Sequence, residues 1–535
     1  MTESVAANGT AAPEHQEWHA PYNPWLIAFV TTLATFMEVL DTTIVNVALP
    51  HIAGNLGADV NDSTWVLTSY LVSNAVVLPL SAWCASLFGR RNFYLVCVAL
   101  FTFSSFLCGF APTLGMLVFF RLLQGVGGGG LQPISQAIMV DTFPPKQRGM
   151  SMALFGITVV VAPIIGPTLG GWITDNFSWR WIFFINIPVG LVSLALAPRL
   201  ITDPPYVKRR TGPDRFKTDY IGLGLLCLGL GSLQLVLDLG ERYDWFGSRF
   251  ITLVTVIAVT ATISAVIWEL RHKDPILDFK LLGERNLGAA TLVMLLFGAT
   301  LYGSTVLMTL FMQVLLGYTS LWSGLALSPG AVVTLLMLPF VGILVSRIDA
   351  RPMIAFGMII IAFSFLYMGH FSLGIDFRTA VSARMVQAFG LAFIFVPLNT
   401  IAYMYVPREA RNSASSLINV ARNVGGSLGI ALSTTLVSRF SQVHQTHLVA
   451  HLTPYDPGYQ ATLQNTARLI APYAGDPVQA AAQAQGAIYG IVRQQAATLA
   501  FVDCFRLMAI LAAIVIPLVI FMRKAPPTTD STPMH

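Results

Sequence analysis

The sequence predicts an all-α membrane protein of fourteen transmembrane helices grouped six, two and six. Three observations carry this expectation. Of the 535 residues, 55% are hydrophobic and only 11% charged, where soluble domains carry about 25% charged. Apolar runs of membrane-spanning length recur along the whole chain. The basic residues between those runs fall on alternate connections without a break.

A bilayer core of roughly 30 Å takes about 20 apolar residues per helix, because each backbone polar group must be satisfied within its segment. Six runs meet this first: Trp25 to Leu49, Trp65 to Ala85, Phe93 to Phe110, Met116 to Val140, Met150 to Ile173 and Trp181 to Ala197. Two more, Tyr220 to Leu239 and Phe250 to Leu270, follow a basic segment. The last six are Leu287 to Leu316, Gly324 to Val345, Met353 to Leu373, Ala383 to Tyr405, Ser415 to Val437 and Phe501 to Met522.

The loops test the count through the excess of Lys and Arg on cytoplasmic connections. With both termini cytoplasmic, that side holds Arg90, Arg91, Lys146, Arg148, Arg199, Lys208, Arg209, Arg210, Arg215, Lys217, Arg271, Lys273, Lys280, Arg285, Arg347, Arg351, Arg408, Arg411, Arg523 and Lys524. The short outer loops hold only Arg180, Arg242, Arg249 and Arg378. The expected organisation is a cytoplasmic tail at 1–24, a first half at 25–200, a basic linker with two inserted helices at 201–285, a second half at 286–523, and a cytoplasmic tail at 524–535.

A net charge of +5 is small for this length and disfavours nucleic-acid binding. The N-terminal stretch lacks Lys and Arg, so it does not read as a signal peptide, and the first helix is expected to insert itself. Cys84, Cys97, Cys108, Cys227 and Cys504 lie in or beside apolar runs without a CxxC pair, which speaks against a disulfide framework or a zinc site.

One long connection remains, from about 440 to 500, rich in Gln and Ala and facing outward by parity. It carries His444, His447 and His451, which on a helix would share a face. They suit metal binding or pH sensing, or simply a solvated helix that extends the thirteenth span.

A shift of 263 residues lays Arg121, Gln124 and Gly127 over Arg384, Gln387 and Gly390, and continues without a gap through Arg148 on Arg411 and Leu154 on Leu417. Two six-helix halves repeated in parallel are the major facilitator architecture, whose site lies between the halves near the bilayer midplane. The inserted pair from Tyr220 to Leu270 falls outside the repeat.

An ionisable residue inside a membrane costs about 2.5 kcal/mol or more and asks for a reason. Glu38 and Asp41 lie three apart in the first helix, with Thr42 and Asn46 at neighbouring angles. Paired carboxylates in low dielectric suit the uptake and release of a proton; a carboxylate held permanently by an Arg of another helix satisfies the same pattern. Arg121 is the natural countercharge, either holding and releasing a partner or serving as a structural donor. Arg384 repeats its position, and Arg422 stands where the first half has Val159. The run Gly127 to Gly130 lacks the Lys-Ser/Thr of a phosphate loop and reads as close helix packing. In the fifth helix, Pro163, Gly166, Pro167, Gly170 and Gly171 allow contact and bending, whereas the thirteenth keeps small residues at Gly425, Gly426 and Gly429 but no proline.

Together these residues resemble the fourteen-helix drug:proton antiporters of the major facilitator superfamily, in their EmrB-like branch. The resemblance covers almost the whole chain. It rests on Leu40-Asp41-Thr42-Thr43-Ile44-Val45-Asn46-Val47-Ala48-Leu49-Pro50, on Arg121 with Gln124, Gly125 and Gly127, on Gly166-Pro167 with Gly170-Gly171, and on the run Trp179 to Pro188. One departure is the G-x-x-x-D-R-x-G-R-R loop after the second helix, where Ala82, Ser86 and Leu87 stand and only Gly89, Arg90 and Arg91 remain. The charge latch between halves attributed to that loop therefore lacks its acid. Ala162 also replaces a usual Gly.

The resemblance implies an inner-membrane exporter working with an EmrA-like periplasmic adaptor and a TolC-like outer-membrane channel, with no cofactor beyond the proton gradient. The expected coupling residues are Asp41, Glu38 and Arg121, and the expected cavity residues are Thr42, Asn46, Gln124, Arg384 and Gln387. The 440–500 connection is a candidate surface for the adaptor, or a cover over the outer mouth. Substrates are expected to be amphipathic drugs, or more narrowly fatty acids or bile salts. An uptake symporter of the same fold is the first rival. An enzyme is the second, although no Ser-His-Asp, HExxH or phosphate-loop pattern occurs.

Overall fold

The computed structural model describes residues 21–144, 147–204, 219–273, 275–407, 410–450, 452–474 and 476–523. Most of the expected N-terminal tail, the C-terminal tail, Lys146, the basic run from Lys208 to Lys217, Arg408 and His451 lie outside them.

The first six long helices are α1 Pro24–Leu56, α2 Trp65–Phe88, α3 Arg90–Phe110, α4 Leu114–Thr142, α5 Arg148–Asn176 and α6 Trp181–Leu200. The inserted pair is α7 Tyr220–Leu239 and α8 Arg249–Arg271. The second set is α9 Arg285–Leu315, α10 Ser320–Leu344, α11 Ala350–Met368, α12 Phe377–Ala402 and α13 Arg411–Ala450, followed by α14 Pro457–Ile470 and α15 Pro477–Ile520. Helix ends follow local chemistry: Asn23 caps α1, and Gly57 closes it in the left-handed region that glycine accepts without strain (φ 61°). Gly89, at φ 83°, makes the sharp turn from α2 into α3.

Among the described residues, thirteen helices are long and apolar enough to cross a membrane. The one expected span outside this set is the thirteenth, α13, diluted by Asn412, Asn419, Arg422 and Asn423. It is nevertheless enclosed. Gly425 lies against the Leu295 carbonyl of α9, and Gly429 against that of Ala299.

The expected connection at 440–500 is largely helical. At 40 and 44 residues, α13 and α15 are about twice the length a bilayer takes. Low hydropathy hid these segments, yet Ala and Gln are strong helix formers. A stripe of six residues spaced four apart, Ala480, Ala484, Ile488, Val492, Ala496 and Ala500, is buried, and α14 and α13 pack against α15. His444 Nε2 meets Asp503 Oδ2 at 2.8 Å, and Gln445 donates to the Tyr489 hydroxyl at 2.8 Å. The projection is therefore a helical hairpin.

The two sets of six meet along two seams. In one, α5 packs on α10, with Gly149 against Gly342 near one end and the Thr168 and Ser328 hydroxyls 3.1 Å apart toward the other. In the other, α2 faces α13 and the Ser81 and Ser416 hydroxyls lie 2.8 Å apart. The inserted α7 lies over this second seam. Its Asp238 accepts from Thr68 of α2, while its Gln234 accepts from Ser427 of α13 at 3.0 Å.

Candidate functional site

Glycines set the geometry of the first-half site. A Cβ at Gly125 would strike the Tyr70 carbonyl at 2.4 Å, and one at Gly129 the Asn74 carbonyl at 2.6 Å, so only glycine lets α4 approach α2 this closely. That approach carries Tyr70 and Asn74 to the middle of α1.

Asp41 and Arg121 form a fully buried ion pair, with Arg121 Nη1 donating to Asp41 Oδ2 at 2.5 Å. The pair is enclosed by amides. Gln124 donates to Asp41 Oδ1 at 3.2 Å, Asn186 of α6 donates to the same oxygen at 3.2 Å, and Arg121 Nη1 also reaches Gln124 Oε1 at 2.8 Å. Arg121 Nε donates to the Val66 carbonyl at 3.0 Å, and the guanidinium stacks 4.2 Å from the centre of the Tyr70 ring. Both oxygens of Asp41 therefore accept hydrogen bonds, one of them from a cation.

Glu38 does not share this site. Its oxygens accept from Gln132 Nε2 at 2.5 Å, Asn74 Nδ2 at 3.0 Å and the Tyr70 hydroxyl at 3.3 Å. The spacing of three suggested one carboxylate pair; the packing of α2 and α4 gives two networks, an ion pair and a carboxylate held by neutral donors. Both carboxylates are buried. Tyr70, Asn74 and Gln132 were not singled out from the sequence, where single neutral polar residues in apolar helices carry little signal.

Thr42 and Asn46 stand apart from both networks. Thr42 bonds the Val39 carbonyl and Asn46 the Thr42 carbonyl, all within α1, and Asn46 is exposed. Arg384 and Gln387 are buried in the second half. Arg384 Nη1 donates to Gln387 Oε1 at 2.5 Å and Ser304 Oγ at 3.2 Å, and its Nη2 donates to Thr305 Oγ1 at 2.8 Å.

The fifth-helix motif sits at the α1–α5 contact. A Cβ at Gly166 would meet the Thr43 hydroxyl at 2.0 Å, and one at Gly170 the Ile44 carbonyl at 2.7 Å. Helix α5 runs unbroken through Pro163 and Pro167. Gly171 turns toward both Val47 of α1 and Leu321 of α10.

A third cluster lies where the basic loops gather. Asp141, at the end of α4, accepts from Arg90 of α3 and from Arg411 at the start of α13, so one carboxylate ties the two halves together. The acid missing from the loop after α2 is thus supplied by α4. The repeat pointed at Arg411 through Arg148, but nothing along the chain marked Asp141 as its partner.

An ion pair buried inside the first half of a doubled six-helix bundle is an arrangement that membrane transporters use. Residues 31–430 match the Major Facilitator Superfamily, and the chain belongs to that family. Within it the chain is EmrB-like: it is 38% identical over 437 residues to the Multidrug export protein EmrB of Escherichia coli strain K12, covering 82% of this chain and 84% of that protein. It is 37% identical over 511 residues to the Fatty acid resistance protein FarB of Neisseria gonorrhoeae, covering 95% and 98%. The crystal structure of the human organic anion transporter MFSD10 superimposes with a TM-score of 0.59 at 15% identity, covering 93% of this chain and all of that one, which shows the shared fold.

Proposed function

We propose that this multidrug transporter expels amphipathic small molecules across the bacterial inner membrane in exchange for protons, as the inner component of a tripartite assembly. The observation that carries the reading is the buried Asp41–Arg121 pair with its Gln124 and Asn186 partners. A proton arriving on Asp41 frees Arg121 from its countercharge, and substrate binding in the central cavity favours the opposite state. Glu38, buried and held by neutral donors, is a second proton acceptor on the same helix. The basic-loop face is assigned to the cytoplasm. The α13–α15 hairpin then projects into the periplasm, where an EmrA-like adaptor feeding a TolC-like channel would meet exposed Tyr455 and Tyr473. Fatty acids are a narrower substrate reading, favoured by the nearly full-length match to a fatty acid resistance protein.

Inverted membrane vesicles energised to an acidic interior test this with a panel of cationic, neutral and anionic amphiphiles. Accumulation that collapses on addition of nigericin is expected. Movement out of such vesicles, down the proton gradient, would instead assign an uptake symporter.

A further inference from the structure

Arg422 has no counterpart in the first half, where Val159 occupies its place. Its side chain is 1% exposed, and its Nε and Nη2 have no hydrogen-bond partner. Among the described residues no carboxylate pairs with it. A buried guanidinium left in this way is costly unless an anion reaches it in some state of the protein.

The geometry indicates which anion. Helices α4 and α13 face each other across the seam between halves. At one level, Gln136 of α4 accepts from Asn419 of α13 at 2.6 Å and donates to Asn399 of α12 at 2.5 Å. One turn further along α4 is Gln132, which holds Glu38 at 2.5 Å. One turn further along α13, in the same direction because the helices are antiparallel, is Arg422, three residues from Asn419 on the same face. A carboxylate of the first half and a guanidinium of the second are thus brought to the same level of the seam. The groups facing Glu38 are Tyr70 from α2, Arg422 from α13 and Tyr302 from α9, with the Asp41–Arg121 pair three residues along α1. Around Arg422 they are Glu38, Tyr302 and Tyr403, which follows the end of α12.

We infer that Glu38 and Arg422 form a proton-gated ion pair across the seam. When Glu38 is ionised, it leaves its amide donors for Arg422 and draws α1 toward α13. When Glu38 takes a proton, the pair dissolves and the halves are free to part. Arg422 is thus a positioning residue that converts the protonation of one half into movement of the other. This rests on the proposed proton-coupled export and supplies its mechanical link.

Two measurements test it. In proteoliposomes, R422Q is expected to lower proton-driven pumping at least tenfold while substrate exchange without a gradient persists. R422K should restore a substantial part of the pumping, and E38Q/R422Q should be no worse than E38Q, because the two residues act as a unit. Separately, spin labels at Gly54→Cys and Gly374→Cys, both exposed and open, report the distance between halves in a background without native cysteines. That distance should shift with pH in the parent and stay fixed in R422Q and in E38Q. If R422Q does not fold, E38Q alone must abolish the shift. A parental pH response in a folded R422Q or in E38Q, or multiplicative losses in the double variant, overturns the inference. A parent that does not pump on a proton gradient defeats the export reading instead, and the ion pair then stands or falls on the distances.

Discussion

The two halves hold the same polar triad with one atom group exchanged. The 263-residue offset lays Asp41, Arg121 and Gln124 on Ser304, Arg384 and Gln387. In the first half, Arg121 binds Gln124 and Asp41 while Gln124 binds Asp41. In the second, Arg384 binds Gln387 and Ser304 while Gln387 binds Ser304 at 2.8 Å. The hydrogen bonds are conserved between the repeats, and the titratable group is not. A carboxylate can change charge and a serine cannot, so the proposed proton-coupled cycle would place its chemistry in the first half and leave the second as scaffold.

The largest effect expected from probing this difference is on Asp41. Asp41→Ala leaves Arg121 buried without its countercharge and should cost about 3–5 kcal/mol, whereas Ser304→Ala loses neutral hydroxyl contacts worth about 1–3 kcal/mol; thermal unfolding in detergent would rank the two. Ser304→Asp supplies the second half with the missing carboxylate. It should raise the unfolding midpoint, by about 1.5–3 kcal/mol equivalent for a bond to a charged group, and a lower midpoint would mean that the site has no room for the charge.

Helix contacts differ in the same register. A Cβ at Gly166 meets a rotatable Thr43 hydroxyl, but at the equivalent Gly429 it meets the Ala299 backbone carbonyl at 2.3 Å. Gly429→Ala should therefore cost about 1–3 kcal/mol through overpacking, and Gly166→Ala clearly less, as read by the same melts. The smallest contrast is Thr42 against Thr305. Thr305 accepts from Arg384, so Thr305→Val should cost about 1 kcal/mol or more. Thr42→Val removes only a bond within its own helix and should leave stability and transport near the parental level.

Much of this was legible along the chain, for physical reasons that also mark where legibility stops. Lipid demands long apolar helices, so most spans and their repeat could be read directly. Buried charges are rare enough to draw notice, which is why Asp41, Glu38, Arg121, Arg384 and Arg422 stood out. Their partners were a different matter. Neutral donors such as Tyr70, Asn74, Gln132 and Asn186 do not differ in sequence from ordinary polar residues of a helix, and their role follows from how α2, α4 and α6 pack on α1. Asp141 joins Arg90 and Arg411 from distant parts of the chain, a contact no local pattern encodes. The α13–α15 hairpin was hidden because a helix that packs through alanines has neither the hydropathy of a span nor the large apolar stripe of a soluble helix.

The most direct test of the division of labour is proton-gradient-driven efflux in inverted vesicles bearing Asp41→Asn or Ser304→Ala, with folded protein matched by size exclusion. Asp41→Asn keeps the shape of the site but cannot exchange the proton, and it should reduce driven efflux about a hundredfold, while Ser304→Ala should retain most of it. Full efflux from Asp41→Asn, or an equal loss from both variants, would contradict a proton path confined to the first half.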